Sequence, residues 1–175
     1  MMRGRSVAIL AVLLIALAST TTFEARQNGI GSGGDGGCSC HGGMVDSTKI
    51  TVDGLPDKFN ASEEYLFTLT IANDDVPVEN PDQNGGFSMI LTGGGVLESV
   101  PDIDGNTATE MEGGLTHNLD LNARRTWEFK WTAPADDTAI ASFLIFGNAV
   151  NGNGAADASG EDQWNCLLYT SPSPR

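Results

Sequence analysis

The chain has 175 residues, 40% of them hydrophobic, and its 23 acids against nine Lys and Arg give a formal net charge of −14. That length suits one domain with a core of its own. So acidic a chain is a poor partner for nucleic acid or an anionic lipid surface, which both need a basic footprint.

Residues 1–18 place Arg3 and Arg5 ahead of an apolar run from Val7 to Ala18, the layout of a secretory signal peptide. The run is shorter than the ~20 residues that cross a bilayer. Ala16-Leu17-Ala18 fits the A-x-A rule, so the cut is expected after Ala18, or as late as about residue 25. The body is therefore expected to be exported, extracellular or on the cell surface, with no membrane span of its own. Residues 19–44 form a Gly-rich leader without periodicity, and it ends in GSGGDGGCSCHGGM, residues 31–44.

Within that stretch Cys38-Ser39-Cys40-His41 gathers two of the three cysteines and one of the two histidines. It is one residue short of the C-x-x-C-H haem-attachment pattern, in which two thiols join the porphyrin and the following histidine binds the iron. The order Cys, Cys, His is kept and the spacing is not. Three readings stay open from the residues. Cys38 and Cys40 can form a short-range disulfide if the segment bends to bring their Cα atoms within roughly 4.4–6.8 Å. Cys38, Cys40 and His41 can act as soft ligands for copper or zinc with a fourth ligand from elsewhere. Or the motif carries a covalent haem.

Strands are predicted from about residue 45 onward. Lys49-Ile50-Thr51-Val52 is a short β-rich run closed by Asp53-Gly54 and Pro56. In residues 65–71 Tyr65, Phe67, Leu69 and Ile71 share one face, the buried one. Asn60-Ala61-Ser62 is a glycosylation sequon. Residues 73–86, with two prolines and four acids, read as a long loop. Phe87–Leu91 and Val96–Val100 are strands on either side of Gly93-Gly94-Gly95. Residues 101–106 make a turn whose carboxylates are a candidate calcium loop, although the glycine and glutamate of an EF-hand are absent. Trp127, Phe129 and Trp131 alternate with Glu128 and Lys130 in the clearest strand, and such a stripe reads as core. Ala139–Val150 supplies a strand partly buried on both faces, followed by the turn Asn151-Gly152-Asn153-Gly154.

No segment after residue 18 has a long helical period. About seven short strands at this spacing predict an all-β, immunoglobulin-like antiparallel β-sandwich over residues 45–165. Residues 166–175, CLLYTSPSPR, differ in composition from the text before them and look like a translated sequencing-adapter tail, which would leave Cys166 outside the natural protein. Without residues 1–18 and 166–175 the chain loses Arg3, Arg5 and Arg175 but no acid, and its net charge becomes −17.

A Gly-rich segment ending in Cys/Cys/His, then Val52-Asp53-Gly54-Leu55-Pro56, Gly85-Gly86-Phe87, Thr116-His117, Trp131-Thr132-Ala133-Pro134 and the run from Gly147 to Gly154 together resemble the choice-of-anchor V domain. That family is a reelin-domain-like β-sandwich of exported bacterial and archaeal surface proteins, and the resemblance covers about residues 29–165. It implies a haem c on Cys38 and Cys40 with His41 as axial ligand, a C-terminal anchor beyond the domain, and a redox partner protein. It also raises His117, the other histidine, as a second ligand of the haem or of a copper or zinc ion. Met44, Met89 and Met111 are alternatives for that position. No Ser/His/Asp or zincin signature is present in the sequence, so an enzyme is not expected. The reading from a different class is a structural or adhesive surface domain in which the motif is a disulfide.

Overall fold

The computed structural model describes residues 29, 38, 41–154 and 161–173. The expected signal peptide and Cys40 lie outside the described residues. Among those described, nine strands form: β1 (Lys49–Asp53), β2 (Glu64–Ala72), β3 (Gly85–Thr92), β4 (Val96–Ser99), β5 (Thr109–Met111), β6 (Gly114–Thr116), β7 (Thr126–Thr132), β8 (Ile140–Ala149) and β9 (Gln163–Pro172). They pair antiparallel in two sheets, ordered β1-β2-β7-β4 and β5-β6-β3-β8-β9. The fold is a two-sheet β-sandwich. Among the described residues no helix is long and apolar enough to cross a membrane.

The core follows from side-chain alternation. Along β7, Trp127, Phe129 and Trp131 are buried while Thr126 and Glu128 are exposed. Antiparallel register sets Phe129 opposite Phe67 and Trp127 opposite Leu69, so the buried rows of β2 and β7 coincide. The Trp131 ring lies 5.4 Å from Phe59 and 5.2 Å from Phe143, both edge-on, and stacks on Tyr65 at 5.6 Å. Each such pair adds ~0.5–1.5 kcal/mol beyond the apolar area it covers. Phe143, on β8, joins the second sheet to this cluster.

The strand count exceeds the expected seven because β5 and β6 have three residues each, too few for alternation to be read in sequence. The strands also run past residue 165. Pairing between β8 and β9 extends from Ala149↔Gln163 to Ile140↔Pro172, so residues 166–172 lie in the second sheet, with Leu167 and Tyr169 against the core and Ser171 buried.

Two polar devices fix the loops. Arg125 donates to the carbonyls of Asn84 at 2.7 Å, Asn73 at 2.9 Å and Val150 at 3.3 Å, tying three segments at one end of the sandwich. In the candidate calcium loop, Asp102 Oδ1 accepts from the backbone N–H groups of Asp104 and Asn106, and Oδ2 accepts from Arg124 at 2.6 Å and from Asn106 Nδ2. Both oxygens of Asp102 are thus engaged in closing the turn.

Candidate functional site

The Cys/His motif is fastened to β9. His41 N–H donates to Cys38 O at 2.8 Å, closing a single tight turn that holds both residues. Trp164 Nε1 donates to Gly42 O at 2.9 Å, and Val45 N–H donates to Trp164 O at 2.9 Å. Met44 makes a parallel bridge to Trp164. The backbone is therefore held on both sides of His41.

The imidazole is fastened separately. His41 Nδ1 lies 2.7 Å from Asp162 Oδ2, with 14% of the histidine side chain and 2% of the aspartate side chain exposed. The other Asp162 oxygen accepts from Asn151 N–H at 2.9 Å. Asn151 is itself buried, and its carbonyl accepts from the N–H groups of Glu79 and Asn80. An ionised carboxylate only accepts, so the proton between the pair belongs to Nδ1, and in the neutral ring Nε2 presents a lone pair.

His117 stands on the same sheet in a different setting. Its N–H and the Thr116 hydroxyl both donate to Phe87 O, at 3.1 and 2.9 Å. Its Nδ1 lies 3.0 Å from Phe87 N and 2.8 Å from Phe87 O. That carbonyl already accepts two hydrogen bonds. The Phe87 N–H points to the same side of the strand, so the assignment that satisfies most groups has it donating to Nδ1. The neutral ring then carries its proton on Nε2. His117 plugs the edge of β3 just where β6 leaves it.

The ring can lie there because residue 86 is glycine: a Cβ at Gly86 would sit 2.8–3.1 Å from three atoms of the His117 imidazole. Gly29 makes a comparable approach from the leader. Its φ is +78°, and a Cβ there would fall 2.2 Å from Thr116 Oγ1. The leader therefore touches the second sheet at Thr116–His117 through Gly29 and at β9 through His41.

Gly86, Asn148 and Trp164 form one row across β3, β8 and β9. Alternation puts them on the outward face, because Phe87 and Ile145 face the core. His117 lies over Gly86 of β3, and His41 is bonded to Asp162 just before β9, two strand spacings (~10 Å) away across the sheet. The structure thus places both histidines at one end of the second sheet. Among the described residues no three His, Cys, Asp or Glu side chains gather as metal ligands. Met89 is fully buried between the sheets, opposite Leu115 and Ile145, and cannot serve as a ligand at that face. Met111 Sδ accepts from Ser88 Oγ at 3.8 Å, and exposed Met44 from Cys166 Sγ at 3.6 Å.

Two residues of this region carry no motif that sequence reasoning could use. Asp162 lies 121 residues from the histidine it holds. Asn148 is 5% exposed, and its Oδ1 has no hydrogen-bond partner. The one local signal for it is an amide inside the apolar run of β8, whose outward Phe146 is also buried, 6.3 Å from Trp164.

Fold and site together define an all-β, two-sheet module that carries a Cys/His turn on the edge strand of its second sheet. No family model and no curated protein matches the chain. Among solved structures it is similar to the Reelin-N domain of F-spondin, with 15% identity and a TM-score of 0.49 over 79% of this chain and 96% of that one. It is similar also to a conjugative transposon lipoprotein from Bacteroides eggerthii, with 12% identity and a TM-score of 0.42 over 73% of this chain and 98% of that one. A conjugate transposon protein from Bacteroides vulgatus gives 14% identity and 0.42 over 74% and 88%. These likenesses concern the arrangement of strands and assign no chemistry to Cys38, His41 or His117.

Proposed function

We propose that this chain is an exported, surface-displayed β-sandwich module whose Cys38-Ser39-Cys40-His41 segment carries a covalent haem c, for electron transfer or redox sensing with a partner protein. The thiols of Cys38 and Cys40 would hold the porphyrin, and His41 would be the axial ligand. The observation that carries the reading is the His41–Asp162 bond of 2.7 Å, which engages Nδ1 and so directs ligation to Nε2, on a residue whose backbone is tied to Cys38. A bare copper or zinc ion needs three or four protein ligands. A haem brings four nitrogens of its own and needs one axial side chain, the role this reading gives to His41. When bound, the haem provides one-electron chemistry, and the protein positions it.

Haem attached by thioethers survives denaturation. The full chain, made in a host with a cytochrome c maturation system, is expected to give a haem-staining band on a denaturing gel and a haem-sized mass adduct. A colourless band, with Cys38 and Cys40 lighter by two hydrogens, refutes the haem and supports a structural or adhesive surface domain closed by a local disulfide.

A further inference from the structure

We infer that Asp162 is a positioning residue, which fixes the His41 imidazole in the Nδ1–H form and presents Nε2 as the ligating atom. The ligating half of this inference rests on the function proposed above, whereas the orienting half stands on the geometry alone. Asp162 is almost wholly buried, and both of its oxygens are committed, one to His41 Nδ1 at 2.7 Å and one to the Asn151 N–H at 2.9 Å. The carboxylate therefore cannot swing to follow the ring; the ring follows it. Asn151 is pinned in turn, because its carbonyl accepts from Glu79 and Asn80, its Nδ2 donates to Glu161 at 3.0 Å, and its Oδ1 accepts from Asn153 N–H. Loop 73–84, the 151–153 turn and the head of β9 thus converge on one imidazole.

A carboxylate on the far nitrogen of a ligating histidine sets the tautomer and makes the ring a stronger electron donor. At a haem iron, stronger donation favours the ferric state and lowers the reduction potential. His117 is the built-in contrast. It meets a backbone N–H through Nδ1, which leaves the proton on Nε2. One sheet end therefore holds two histidines prepared in opposite ways, His41 with its proton on Nδ1 and His117 with its proton on Nε2.

Long-range proton–nitrogen NMR of the nitrogen-15-labelled full chain reads the tautomer directly. The wild type is expected to show His41 with a protonated Nδ1 and an unprotonated Nε2. A protonated Nε2, or averaging between the two forms, overturns the inference. Asp162→Asn should move His41 toward averaging or the opposite tautomer, and an unchanged spectrum in that variant also overturns it. Should Asp162→Asn fail to fold, the wild-type spectrum still decides. In the haem-loaded protein the same variant is expected to raise the midpoint potential, and an unchanged potential removes the claim on the iron. A wild type that takes up no haem refutes the proposed function instead, and leaves the orienting role of Asp162 to the spectrum.

Discussion

Gly86→Ala tests whether His117 is a structural plug on β3. The new Cβ would meet Cε1 of the ring at 2.8 Å, Nε2 at 3.0 Å and Nδ1 at 3.1 Å. Carbon atoms in good contact are ~3.5–4.0 Å apart, so the ring has to lift. Lifting breaks the bond of 3.0 Å between Nδ1 and the Phe87 N–H. A buried N–H left without an acceptor costs ~1–3 kcal/mol. Replacing a strand glycine by alanine returns ~0.5–1 kcal/mol through the unfolded chain. At mid-range the expected net loss is therefore about 1 kcal/mol, which lowers Tm by about 2–4 °C in a domain of this size. Urea unfolding followed by tryptophan fluorescence, on wild type, Gly86→Ala, His117→Ala and the double variant, separates the causes. In the His117→Ala background the clash partner is gone, and Gly86→Ala should be neutral or stabilising. An equal cost in both backgrounds, or no cost in the wild type, refutes the reasoning.

Trp131 has its whole ring in the core, and its Nε1 is buried without a hydrogen-bond partner. Trp131→Ala is expected to cost ~3–5 kcal/mol, and Trp131→Phe distinctly less, because the unpartnered N–H leaves with the indole; equal losses in equilibrium unfolding would contradict this. The carboxyl of Asp102 is held at about 2, below its ordinary 3.8, first by the Asn106 backbone N–H and then by the Arg124 guanidinium, the Asn106 side chain and the Asp104 N–H, with burial opposing. Because the folded value is the lower one, this stabilisation is complete above pH 3.8 and is lost as the pH falls toward about 2. Stability curves of wild type and Asp102→Asn should converge over that interval, and a gap that stays constant through it would refute the assignment.

What the sequence determined by itself is local. The alternation in β2 and β7 placed Phe67, Leu69, Ile71, Trp127, Phe129 and Trp131 in the core and the all-β class with them, because a period of two is a property of one extended strand. The clustering of Cys38, Cys40 and His41 was equally legible, since those residues lie within four positions. Tertiary structure decided everything that depends on which strand lies beside which. Met89 and Met111 look equivalent in sequence, yet register turned Met89 into the core and left Met111 beside Ser88 on the outward face. Strands β5 and β6 are too short to show a period and exist because β3 offers them an edge. His117 was legible as a histidine and illegible as a plug, since the glycine that admits its ring lies 31 residues earlier. Asp162 reaches His41 only because β9 begins beside the turn near the end of the leader. A hydrogen bond across 121 residues leaves no trace in either local stretch: its partners are chosen by sheet order and register, which are properties of the whole chain.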